Sequence, residues 1–117
     1  MNEYIFDGPD ITIGYSYRVL IDLQSDPETV YFPTGCRLKL QMRRQVADIE
    51  PLVTLTTENG GITRITDTCI RVALTASQTG QFPEGDVSFD IVRTDVDPVA
   101  YIGIKMTLGV SQPYTRG

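Results

Sequence analysis

Side chains able to do chemistry gather in two oppositely charged stretches of this 117-residue chain. Asp95 and Asp97 flank Val96, with Asp86 and Asp90 just upstream. Such carboxylates are the hard oxygen ligands that Ca²⁺ takes in sets of six to eight, but the stretch lacks the glycine offset and closing bidentate Glu of an EF-hand loop. Acids so placed more commonly solvate a turn. Arg37, Lys39, Arg43 and Arg44 put four of the ten basic residues into one short run. Basic residues interleaved with aromatic ones would make a stacking platform for single-stranded nucleic acid. Here Leu38, Leu40 and Met42 intervene, which reads as a strand with a core face and a solvated, basic edge or outer face. Residues 84–97 hold five acids against Arg93. Opposite charge on the two stretches suggests that Arg37, Lys39 and Arg43 meet Asp95 and Asp97 head to tail between neighbouring copies, or dock a partner.

What is missing narrows the chemistry further. The chain has no histidine, so serine triads, His-paired thiol nucleophiles, most catalytic zinc sites and imidazole relays have no base or ligand. Tryptophan is absent too. Ten basic against fifteen acidic residues give a net charge of −5, the wrong sign for a partner built of phosphates, whether nucleic acid or anionic membrane. Gly60-Gly61 and Gly103 match no phosphate-binding loop and read as turn glycines. No cofactor and no enzymatic activity are expected. Cys36 and Cys69 show no CxxC spacing and read as small buried hydrophobes rather than a disulfide framework. The segment MNEYIFDGPD has no basic-then-apolar leader pattern, and no apolar run approaches the ~20 residues of a membrane span. Synthesis in the cytoplasm is the corresponding expectation.

The elements that must position these residues are strands. Over residues 15–23, Tyr15, Tyr17, Val19, Ile21 and Leu23 alternate with Ser16, Arg18, Leu20 and Asp22, the period of a half-buried strand. Residues 37–44 repeat the device. Residues 52–57 lead through Glu58-Asn59-Gly60-Gly61 into 62–65, a predicted hairpin with turn chemistry at its centre. Further alternation runs through 69–75, 86–91 and 100–111. Residues 75–82 break it and fit one helical turn, capped by a hydroxyl and stopped at Gly80. No segment carries three turns of amphipathic helix. One all-β domain over 1–117 is predicted: an antiparallel, immunoglobulin-like sandwich of about seven to nine strands, with a sheet-to-sheet crossing over 23–34.

The termini carry Tyr4, Ile5 and Phe6 at one end and Pro113, Tyr114 and Arg116 at the other, types enriched at protein interfaces, or else an end strand over the core. Predicted interface residues are therefore Tyr4, Phe6, Arg37, Lys39, Arg43, Asp95, Asp97, Tyr114 and Arg116. Tyr15, Tyr17, Tyr31 and Phe32 are the aromatic residues available to a carbohydrate platform, an alternative class.

The order TGCRLKLQMRR, LVTLTTENGGI, CIRVALTASQTGQF, GDVSFDIVRT and YIGIKMTLGVSQPYTR resembles small tailed-phage virion proteins related to the N-terminal domain of baseplate upper proteins. The matching positions are Gly35 with Arg43, Leu74 with Thr75 and Thr79, Phe89 with Asp90, and the closing Thr115-Arg116. The resemblance implies an immunoglobulin-like structural adaptor that attaches a fibre or receptor-binding protein at the tail, in many symmetric copies, with other virion proteins as partners. Larger adaptors of this kind continue into further domains, so a chain of this length also suits a capsid decoration or accessory protein.

Overall fold

The computed structural model describes residues 4–7, 10–23, 31–45 and 47–114. The described elements are β1 (Tyr4–Asp7), β2 (Ile11–Thr12), β3 (Tyr17–Asp22), β4 (Leu38–Met42), β5 (Val53–Thr56), β6 (Ile62–Arg64), β7 (Cys69–Leu74), α1 (Ala76–Thr79), β8 (Gly85–Arg93) and β9 (Ala100–Ser111). They form an all-β sandwich. The large sheet runs β1-β9-β8-β4-β5, with β2 also on β9, and the small sheet runs β3-β7-β6. The pairs β3–β7, β6–β7, β4–β5, β4–β8 and β8–β9 are antiparallel, whereas β1 and β2 run parallel to β9.

Alternation places the core. Ile21 of β3, Leu38, Leu40 and Met42 of β4, Leu55 of β5, Ile70, Val72 and Leu74 of β7, Val87, Phe89 and Ile91 of β8, and Ile102, Met106, Leu108 and Val110 of β9 join one buried cluster between the sheets. Neither sheet could bury its apolar face alone, which is why the two stack. Both cysteines are free and buried.

The single helical turn is built as its sequence predicts at one end and differently at the other. Thr75 caps it: its hydroxyl accepts from the Gln78 N–H at 3.1 Å while Gln78 Oε1 accepts from the Thr75 N–H at 2.8 Å, a reciprocal capping box. At Gly80 the backbone stays right-handed, φ −61°, so glycine's special freedom is not used. Instead the Gln81 and Phe82 N–H groups donate to Gln78 and Thr79 carbonyls, tightening the last turn as Phe82 enters the core.

Two expectations are corrected by the topology. Residues 52–65 are not a hairpin: β5 belongs to the large sheet and β6 to the small one. The turn itself forms, with Gly60 at φ +82°, but it carries the chain from one sheet to the other. Turn residues specify a reversal, and pairing is decided by distant strands. The corner is tight enough that a Cβ on Gly61 would lie 2.5 Å from Leu55 Cδ2. Secondly, β4 is no edge, because β5 and β8 flank it; its basic side is an outer face. The connection leaving Leu23 does change sheets, since β3 and β4 lie in different ones, though residues 24–30 are outside the described set.

Candidate protein-contact surfaces

The outer face of the large sheet is built from the odd positions of β4 and the even positions of β8, with their cross-strand partners on β9. The register sets Arg43 opposite Ser88, Ser88 opposite Thr107 and Asp90 opposite Lys105. These residues, with Gln41 and the loop residues Arg44, Gln45 and Asp48, line an open cleft of about 490 Å³. Arg43 braces it: Nε donates to the Asp48 carbonyl at 3.0 Å and Nη1 to Gln41 Oε1 at 2.9 Å. The Gln45 N–H donates to Asp48 Oδ2 at 3.1 Å, and the Ser88 and Thr107 hydroxyls pair at 2.9 Å. Arg43 thus shapes a loop with its guanidinium instead of presenting it outward.

At the other end of β4 the first charges of the two stretches have partners within the chain, though not each other's side chains. Asp95 engages Arg93 at two points, Nη2 to Oδ2 at 2.7 Å and Nε to Oδ1 at 3.2 Å, the fork geometry that favours Arg with carboxylate. Its Oδ1 also accepts the Arg37 backbone N–H at 3.2 Å. The hydrogen bond from Arg93 holds the Asp95 carboxyl down at about 2. The Arg37 guanidinium lies 3.8 Å from Glu58. Asp95 is thus engaged by Arg93 two residues before it, and Arg37 by Glu58, so both have partners within the chain; the β4–β8 pairing adds only the Arg37 backbone N–H. Asp86, Asp90 and Asp95 are strung along β8 and its exit, and among the described residues no three potential metal ligands gather.

The remaining predicted residues are dispersed. Tyr4 and Phe6 occupy β1 in register with Ile104 and Met106 of β9, the end-strand placement. Lys39 is half-buried on β4, Asp97 is exposed in the loop after β8, and Tyr114 is fully exposed. Arg116 lies outside the described residues.

A second hollow, about 520 Å³, is lined by Asp10, Thr12, Tyr15, Ser16, Tyr17 and Pro113. Burial, and then the Asp10 carboxylate, push the Tyr17 phenol up to about 12. The fully buried Thr79 ties its floor, donating to the Tyr15 carbonyl at 2.8 Å and accepting the Gly14 N–H at 3.1 Å. This arrangement corrects the carbohydrate platform. Phe32 is fully buried and Tyr17 is 8% exposed, so among the four candidates Tyr15 alone is exposed.

No protein-family model matches the chain, and no curated protein matches it.

Two features of the sheet edges were not anticipated. On β5, the Leu55 pairing with Leu40 turns the polar groups of Thr54 and Thr56 away from β4. Asn59 curls back onto them: its Oδ1 accepts the Thr56 N–H at 3.0 Å and its Nδ2 donates to the Thr54 carbonyl at 3.1 Å. One primary amide thus stands where the peptide group of a next strand would. The same Oδ1 accepts the Gly61 N–H at 3.0 Å, and the Asn59 N–H donates to Thr56 Oγ1 at 2.9 Å. On β3, by contrast, Leu20 is 61% exposed between exposed Arg18 and Asp22. The only sequence signal for it was an apolar residue on the polar side of the alternation.

Proposed function

We propose that this domain is a non-enzymatic structural protein of a tailed-phage virion, an adaptor at the tail, baseplate or fibre attachment that works by protein–protein contact. The observation that carries the reading is the strand order. With β1 and β2 taken as strand A, β3 as B, β4 as C, β5 as C′ and β6 to β9 as D to G, the sheets read A-G-F-C-C′ and B-E-D. Labelled so, the G-F-C-C′ and B-E-D runs support an immunoglobulin-like reading of variable type, with strand A on the G edge and without the Trp and disulfide hallmarks of antibody domains. An immunoglobulin-like adaptor is what the sequence resemblance implies. The motif residues of that resemblance have architectural tasks here: Gly35 turns at φ +81°, Arg43 braces the cleft loop, and Thr75 and Thr79 cap and anchor α1. Other virion proteins, and several symmetric copies of the chain, are the partners this reading requires.

Immunogold labelling of intact particles with antibodies to the recombinant domain tests it. Label confined to the tail or its tip is expected. Label over the whole capsid would replace the adaptor with a decoration protein, and unlabelled particles together with a free monomer that binds a small molecule saturably would overturn the reading.

A further inference from the structure

We infer that β3 is a self-complementary strand through which two copies of this chain pair antiparallel, joining their small sheets across a two-fold axis at Leu20. Among the described residues β3 ends its sheet, with β7 as its strand neighbour. The register Tyr17–Leu74 to Asp22–Cys69, together with the Leu23 N–H donating to the Thr68 carbonyl at 2.8 Å, fixes which pairs exchange hydrogen bonds. Val19 with Val72 and Ile21 with Ile70 bond to each other, because antiparallel pairs alternate between bonded and non-bonded. The N–H and C=O of Leu20 therefore point away from β7, toward the edge that no described strand covers. A second β3 laid antiparallel there with Leu20 at the dyad exchanges both bonds between the two Leu20 residues.

The side chains fit the same axis. Arg18 and Asp22 stand two residues either side of Leu20 and share its exposed face. A two-fold contact maps i onto j and j onto i, so Arg18 of each copy faces Asp22 of the other, twice, and the exposed leucines meet between them. Residues opposite each other in a bonded antiparallel pair interact directly, favourably when their charges are opposite. Asp22 Oδ1 already accepts the Thr68 hydroxyl at 3.3 Å; a carboxylate offers about four lone-pair sites, so a guanidinium can join it. The edge of β5 is closed to such pairing by Asn59.

This inference is independent of the virion reading: a chain monomeric in solution would sink it and leave that reading standing, since other virion proteins can array the copies, and particles without the protein would do the reverse. The test is sedimentation equilibrium on the wild type, Arg18→Asp, Asp22→Arg and the double variant carrying both, with circular dichroism confirming each fold. Each single reversal sets like charges across both symmetry-related pairs and is expected to raise the dimer dissociation constant about tenfold or more. The double reversal restores opposite pairs across the dyad and returns the constant to near that of the wild type. A Leu20→Pro variant, which lacks the N–H at the axis, is expected to be monomeric. A wild type that stays monomeric at about 1 mM chain overturns the proposal. So does a dimer that the single reversals leave unchanged, or a double reversal as weak as the singles.

Discussion

Along β5 the amide of Asn59 bonds to Thr56 and Thr54 in the manner of a neighbouring strand, whereas along β3 the outward side chains run basic, apolar, acidic, with Leu20 largely in solvent. Among the described residues both strands end a sheet and face the same hazard, a row of backbone groups that templates pairing with another chain. At β5 the row is closed by the turn that follows it, since the reversal through Thr57 and Glu58 brings Asn59 back onto Thr56 and Thr54, before Gly60 at φ +82° sends the chain on to the other sheet. At β3 the basic, apolar, acidic order is the one that the proposed two-fold pairing of two copies would use. The two edges thus differ in a few side chains, Asn59 at β5 and the Arg18, Leu20 and Asp22 row at β3.

Breaking the corner behind the closed edge has the largest expected effect. Gly61→Ala drives a methyl against Leu55 Cδ2 and Cβ, which lie 2.5 and 2.7 Å from that position, and is expected to cost about 2–3 kcal/mol by overpacking. Urea unfolding measures this; an unchanged midpoint would mean that the corner is slack. Thr79→Val acts at the entrance to the open edge. It removes a fully buried hydroxyl that holds the turn before β3 through Tyr15 and Gly14, at about 2 kcal/mol. Faster amide exchange across 13–17 is the local signature to look for.

Asn59→Ala is smaller in stability, about 1 kcal/mol for exposed hydrogen bonds, but it turns β5 into an unprotected edge. Light scattering should therefore detect new self-association in the variant that Arg18→Asp does not suppress. If association is unaltered, the amide is only a turn former. Asp95→Asn has the mildest effect and appears with pH. A carboxyl at about 2 when folded, against an ordinary value of about 3.9, adds stability that is present above the unfolded value. That stability is lost as pH falls through the folded one. Between about pH 4 and pH 2 the wild type should lose this increment and the variant should not, as thermal melts at stepped pH would show.

Strands were legible because their period is written locally: apart from Cys69 at the start of β7, the buried residues of β3, β4, β7, β8 and β9 are the ones that alternation selects. Their partners were not. Glu58-Asn59-Gly60-Gly61 has the chemistry of a hairpin turn and makes a turn, yet nothing within those four residues records that β6 pairs with β7. The charged stretches were legible as stretches, but not as neighbours in one sheet, so Asp95 could not be seen to be engaged by Arg93 and the backbone of Arg37. Among the aromatic residues, Phe32 and Tyr15 look alike in sequence. Phe32 is buried because its N–H and C=O are held by the Asp67 carbonyl and Arg64 Nε, contacts made across more than thirty residues.

The parallel course of β1 and β2 along β9 bears on mechanical load. Four registered pairs on β1 and two on β2 lie between two strands that run the same way, so tension entering at the head of β1 and leaving at the foot of β9 pulls the strands past each other. The hydrogen bonds between them then stretch together in shear, where an antiparallel ribbon pulled from its open end would yield one bond at a time. Single-molecule pulling from residues 4 and 111 should give a higher rupture force than pulling from 85 and 111, which peels β8 from β9.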